Sequence, residues 1–206
     1  MAEQKGPQWA MATPAEVYLV GVACIGIFGL LMGWVNPGAI PVVAVFLIAC
    51  GIVTMALGTI ELRRGDILLG SINMVFGGLI WFGLGFILAY VAWAWANLGA
   101  APAVLQPDLR IAGYFAAGIS LLFFLFLPNV GKLSWFLFLA FVVLGLGLAF
   151  LAAGLINNTA FGDFPMSASG VCFLIFALMV IYLGTAFITN TVYQAPKLPI
   201  GKPMMK

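Results

Sequence analysis

Six continuous apolar runs, near residues 15–35, 39–60, 67–97, 111–128, 133–156 and 168–190, constrain this chain more than any other feature. Each holds about 18 residues or more, enough at a rise of about 1.5 Å per residue to cross a hydrocarbon core about 30 Å thick. Inside hydrocarbon every backbone N–H and C=O must find a partner within the protein, which only helices and closed barrels achieve. Barrel strands are shorter and alternate in polarity, whereas these runs are apolar without a break. The sequence therefore predicts an all-α membrane protein with six transmembrane helices in one domain. Composition agrees: 65% of residues are hydrophobic and 7% charged, where a soluble domain carries about 25% charged residues. The first run is too long for a signal-peptide core and no small-residue cleavage pattern follows it, so it is expected to stay as the first helix.

The charged residues fall at predicted helix ends, loops and termini, because a charge in lipid costs several kcal/mol, on the order of 3 or more. If the helices alternate, Lys5, Arg63, Arg64, Lys132, Lys197, Lys202 and Lys206 share one side and Arg110 stands alone on the other. The positive-inside rule then puts both termini in the cytoplasm. Residues 1–13 and 191–206 read as cytoplasmic tails flanking a transmembrane domain at 14–190. The net charge of +2 is accounted for by topology, and no nucleic-acid partner is expected. Cys24, Cys50 and Cys172 all lie inside predicted spans, and the chain has no His. Neither a disulfide, a metal site nor a cofactor is expected, and the usual catalytic constellations are missing, so an enzyme is not predicted.

Local signals punctuate the spans. Thr13-Pro14-Ala15-Glu16 fits a capping box that opens the first helix, the Thr hydroxyl and Glu carboxylate satisfying free amides. Asn36-Pro37-Gly38 predicts a tight turn, and Pro128 with Asn129 and Gly131 predicts another between the fourth and fifth helices. Pro102 and Pro107 mark a linker from Leu98 to Asp108, and Trp93 and Trp95 mark a membrane interface. Gly29 and Gly33 form a GxxxG pattern, open to packing within one bundle or to contact between protomers.

Two helix faces carry candidate functional residues. Asn73, Phe76, Gly77 and Ile80 follow i, i+3, i+4, i+7 spacing in the third span. An amide facing lipid would lose hydrogen bonds, so Asn73 should face another helix or a water-filled path. In the sixth span Tyr182, Thr185 and Thr189 align, although Thr can return its hydroxyl proton to its own helix and need nothing else.

Two stretches resemble the acetate uptake transporters, the bacterial and archaeal succinate/acetate permeases and their fungal relatives. Glu61-Leu62-Arg63-Arg64-Gly65-Asp66, followed by Phe76-Gly77, is similar to the family's E-Y-K-K-G-N segment and its S-Y-G. Ile181-Tyr182-Leu183 through Asn190 to Leu198-Pro199-Ile200-Gly201 is similar to A-I-Y-L…N…L-P-I-G without a gap. The opening signature N-P-A-P-L-G-L is kept only as the Pro14-Ala15 of Thr13-Pro14-Ala15-Glu16-Val17-Tyr18-Leu19. Glu16 then sits where free amides of a helix start could otherwise greet an anion. Phe76 replaces a family Tyr, and Phe187 replaces an acidic residue.

The resemblance implies a homohexamer in which each protomer encloses its own narrow path, pinched by apolar rings at Phe76, Val22 and Val143 or Leu144. Asn73, Gly77, Tyr182 and Thr185 are the expected pore-lining or substrate residues. An apolar constriction favours small solutes that shed water cheaply. The expected function is passage of acetate-like monocarboxylates through a multi-pass protein of the inner membrane, passive or proton-linked. The sequence shows no Walker A pattern and no evident intramembrane proton carrier, which favours a channel. Two other readings stand beside it: a urea or short-amide channel, and a non-transporting subunit of a larger membrane complex that uses its many aromatic residues as an interface.

Overall fold

The computed structural model describes residues 12–98 and 107–204. It is all-helical, and six helices are long and apolar enough to cross a membrane. They are α1 (Thr13–Leu31), α2 (Ile40–Arg63), α3 (Ile67–Asn97), α4 (Arg110–Gly131), α5 (Trp135–Ile156) and α6 (Met166–Val192). Large apolar side chains such as Val42, Phe86, Phe115, Leu125 and Leu178 project from the bundle. Water cannot solvate so much outward apolar surface, and lipid is the solvent that suits it. Most of the expected linker from Leu98 to Asp108, together with Lys5 and Lys206, lies outside the described residues.

Alternation of six helices gives the bundle two ends. The terminal end carries the start of α1, the α2–α3 and α4–α5 turns and residues after Val192; the loop end carries the α1–α2 turn and residues 157–165. Arg63, Arg64, Lys132, Lys197 and Lys202 all belong to the terminal end, while Arg110 belongs to the loop end. Trp34, Trp93 and Trp95 are exposed near the loop end and Trp135 near the terminal end, the positions that interfacial aromatic belts occupy.

Helix boundaries follow local chemistry. Gly33 adopts φ +67, a conformation open to Gly at little cost, and α1 stops just before it rather than running to residue 35. The side chain of Asn36 accepts from the Gly38 amide at 2.9 Å and sets up the turn into α2. Pro128 does not end α4, contrary to the turn expected there; the helix runs through it to Gly131. One proline near a helix end forfeits a single hydrogen bond, and Lys132 still closes on Asn129 at 3.2 Å.

The helices pack side by side in the order α3–α2–α1–α6–α5–α4. Alpha3 approaches α2 through small residues: a Cβ on Gly77 would lie 2.6 Å from Met55 and 3.2 Å from the Gly51 carbonyl. Between Val75 and Phe82 the helix widens into a π segment, the kind of local insertion often found beside functional sites. A groove of about 680 Å³ lies between α3 and α4, lined by Leu79, Ile87, Phe115 and Leu122.

Candidate functional site

Two internal cavities approach each other from opposite ends of the bundle. The terminal-end cavity, about 310 Å³, is bounded by Thr13, Glu16 and Val20 of α1, Asp66 at the start of α3, Asn73 and Phe76 of α3, Ser134 before α5, and Val180 and Phe187 of α6. The loop-end cavity, about 240 Å³, is bounded by Ile27, Leu31, Val91, Trp95, Leu151 and Met166, with Asn158 and Thr159 contributing its few polar groups.

Aromatic rings separate the two. Phe76 stacks on Phe176 with centroids 6.3 Å apart and meets Phe123 edge-on at 5.2 Å and Trp81 at 5.7 Å. Phe141 extends the cluster, 5.2 Å from Phe123. Trp81, Phe123 and Phe176 are fully buried. Toward the loop end of α3, Ile80 borders the lateral groove and Leu84 the loop-end cavity. Phe76, with its neighbours from α4, α5 and α6, therefore forms a dry plug at the inner limit of the terminal-end cavity.

Glu61, at the end of α2, is completely buried and organises the mouth of that cavity. Its Oε1 accepts from the Ala12 amide at 2.7 Å, the Thr13 amide at 2.9 Å and the Thr13 hydroxyl at 2.9 Å. Its Oε2 accepts from Arg64 at 2.8 Å. A charged acceptor aimed at the free amides of a helix start is stronger than a neutral cap. This arrangement replaces the capping box expected at Thr13–Glu16: no side chain of α1 caps its own helix. Glu16, freed from that role, is 3% exposed and turns into the cavity. Asn73 interacts with the Glu16 carboxyl, yet its Nδ2 closes no hydrogen bond of ordinary geometry among the described residues.

Residues that follow α6 cross this mouth as a strap. Asn190 exchanges two 2.8 Å hydrogen bonds with the backbone of Leu198. The Tyr182 hydroxyl donates to the Pro199 carbonyl at 2.8 Å, and the Ser134 hydroxyl donates to the Ile200 carbonyl. The Trp135 amide donates to Lys202 at 3.0 Å and the Met204 amide to Gly131 at 2.8 Å. Gly201 takes φ +86, and a Cβ there would fall 2.7 Å from Ser134 Oγ. Ile200 itself lines the cavity.

Of the residues singled out in the sequence, Asn73, Phe76, Thr13 and Glu16 meet around one cavity. The others do not. Val22 is 50% exposed on the outer face of α1 and constricts nothing inside the protomer. Gly77 faces the backbone of α2. Leu144 is buried in the packed core and Val143 packs against that core, and neither borders a cavity. Tyr182 holds the strap, and exposed Thr185 bonds the Tyr18 hydroxyl at 2.9 Å and its own helix at Ile181. Pro14 and Ala15 lie away from the cavity, Ala15 exposed. Gly29 meets nothing within the protomer, while Gly33 touches Phe161, so the two halves of the GxxxG pattern serve different surroundings.

The sequence reading missed Phe123, Phe141 and Phe176, which complete the plug, and Glu61. A helix that is apolar all round gives no amphipathic signal to tell inward rings from outward ones. Glu61 did carry one: Arg64 follows it at i+3, the spacing of an ion pair on a helix. Among the described residues no three His, Cys, Asp or Glu side chains gather to hold a metal ion.

No family model matches the sequence, and no curated protein matches it. A solved structure described as the bacterial acetate channel SatP is similar in fold, with a TM-score of 0.78 over 94% of this chain and 100% of that one, at 22% sequence identity. The chain thus shares the fold of that channel.

Proposed function

We propose that this protein is a membrane channel or transporter for acetate and similar small monocarboxylates, passive or proton-linked. In this reading it is a homohexamer of the cell's inner membrane with both termini cytoplasmic, and each protomer carries its own path. The observation that carries the reading is the pair of opposed cavities inside one bundle, with the ring cluster around Phe76 at the inner limit of the terminal-end one. A conduit needs access from both ends and a narrow middle; a catalyst would need reactive groups converging on one point, and the ring cluster offers aromatic rings and one indole N–H. The fold shared with the acetate channel SatP supports the same reading. Phe76 sets the size limit, and Asn73, Glu16 and Thr13 line the approach to it.

One observation favours a second reading, a urea or short-amide channel: among the described residues no Lys or Arg borders either cavity, so a bare carboxylate meets no described cation there. Uptake of labelled acetate and labelled urea into liposomes holding the purified protein separates the two. Acetate flux well above that of empty liposomes and exceeding urea flux is expected. Urea flux exceeding acetate flux at both pH 6 and pH 8 would overturn the first reading in favour of the second. A folded protein that passes neither solute would point to a non-transporting subunit.

A further inference from the structure

Three acidic side chains surround the terminal-end mouth, and two of them are already committed. Glu61 accepts three bonds from the start of α1 and one from Arg64. Asp66 accepts from the Leu69 amide at 2.9 Å and caps α3. Glu16, 3% exposed and bordering the cavity, caps no helix and pairs with no cation among the described residues, and its neighbour there is the Asn73 amide. Beside it, the 2%-exposed Asn73 presents an Nδ2 donor that closes no bond of ordinary geometry. A buried amide donor that closes no good bond, beside a buried carboxyl, costs about 1–3 kcal/mol. Groups of this kind are retained where something else supplies the missing partners.

The geometry points to a carboxyl-binding subsite in which Glu16 and the ligand's own carboxyl group share a single proton while Asn73 donates to the ligand. This rests on the monocarboxylate reading above and names the residues and protonation state through which it works. The remaining described groups facing Glu16 are few. Alpha2 contributes Glu61, an acid paired with Arg64; the start of α3 contributes Asp66, another acid; the α4–α5 turn contributes only the Ser134 hydroxyl. The strap adds apolar Ile200, and α6 faces the cavity with Val180, Leu183 and Phe187. With Arg64 held by Glu61 and no Lys or Arg among the described residues bordering the cavity, two ionised carboxyls would repel at close range, so a stable pair holds one proton between them, as an acid hydrogen-bonded to a carboxylate. The proton arrives on either partner and forms no covalent bond beyond its own O–H, so no further reactant is needed. A solute with two ionised carboxyls would leave its second charge in the apolar chamber. The subsite therefore selects a monocarboxylate together with one proton.

Calorimetric titration of the purified, detergent-solubilised protein with sodium acetate between pH 6 and pH 9 tests this. Because the complex holds one proton more than its fully ionised parts, the parent's affinity should weaken as pH rises, approaching about tenfold per pH unit at the alkaline end. Glu16→Gln keeps the shape and polarity of the side chain but cannot share a proton, and its affinity should be flat over that range. Asn73→Ala should weaken binding about fivefold at every pH while keeping the parent's slope, the loss expected for one neutral hydrogen bond. A flat parent profile, a Glu16→Gln protein with the parent's slope, or Asn73→Ala protein with unchanged affinity would each overturn the proposal. Binding with the expected slope but no liposome flux would instead count against the transport reading and leave the subsite standing.

Discussion

The two cavities have similar volumes and opposite chemistry. The terminal-end cavity is bordered by two acids, an amide and two hydroxyls, and a hydrogen-bonded strap crosses its mouth. The loop-end cavity is hydrocarbon apart from a short segment at Asn158 and Thr159. Acid residues follow the same division: Glu16 and Glu61 are buried at one end, whereas Asp108 at the other is exposed and paired with Arg110. In the proposed path, recognition falls on one side of the ring cluster and desolvation on the other. Selectivity and size exclusion then belong to different residues and should be separable by mutation.

The plug offers the largest effect. Phe76 touches Trp81, Phe123 and Phe176, so Phe76→Ala should cost about 3–5 kcal/mol of stability, as for other buried aromatics. It should also deepen the terminal-end cavity and raise the flux of succinate-sized solutes more than that of acetate. Paired thermal melts and liposome fluxes check both arms. A well-folded Phe76→Ala protein with parental fluxes for both solutes would show that the rings do not set the cutoff, and the division between plug and subsite would collapse.

Glu61 comes next. Glu61→Ala leaves three donors at the start of α1 without their acceptor and removes the partner of Arg64, whose side chain is 32% exposed and regains water. The loss should be about 2–4 kcal/mol, dominated by the buried donors rather than by the ion pair. The melting temperature should fall, and α1 should lose hydrogen-exchange protection at its first turn before its last. Equal loss of protection at both ends of α1 would mean that Glu61 supports the whole bundle and not its mouth in particular.

The contrast between ends also explains which parts were legible in the sequence. Six spans could be read because hydrocarbon demands long apolar helices, and their limits moved by a few residues, at Gly33 and Pro128 because of one residue each. Asn73 could be read because a lone amide in a long apolar run has few tolerable surroundings. Phe76 shares its face, and both reached the cavity. Val22 rested on the resemblance alone, and it lies exposed on the outer face of α1, a helix apolar on every side whose own pattern marks no lipid face. Tyr182 and Thr185 failed for another reason: the hydroxyls do align, but their partners lie along the edge of α6, one in a strap that only tertiary folding brings near. Glu16 was misread because a capping box is a local pattern, and here a buried Glu61 from α2 supplied a better acceptor.

The strap yields a smaller effect than Glu61. Tyr182→Phe removes one of its hydrogen bonds, to Pro199, and leaves those at Asn190 and Ser134 in place. About 1 kcal/mol of local anchoring should go, or roughly fivefold in the opening equilibrium. Limited proteolysis after Lys202 should quicken by that factor while the global melting temperature hardly changes. An unchanged cleavage rate would mean that Asn190 and Ser134 hold the strap unaided.

The smallest effect belongs to the exposed acid of the loop end, and it serves as the control for pH. Arg110 donates to both oxygens of Asp108, at 2.9, 3.1 and 2.6 Å. These bonds, the backbone bond from the Arg110 amide and the neighbouring charge lower the Asp108 pKa to about 2. A depressed carboxylate pKa contributes stability that is present above the ordinary value of 3.8 and is lost as pH falls through about 2. Asp108 is therefore fully ionised throughout the range from pH 6 to pH 9 and cannot give binding or flux a slope there. The pair is open to solvent and screened by salt, so little stability rests on it. Asp108→Asn should reproduce the parent's acetate affinity, its pH profile and its melting temperature in that range. If Asp108→Asn flattened the profile as Glu16→Gln is expected to, the proton dependence would belong to the loop end, and the assignment of recognition to the terminal end would be reversed.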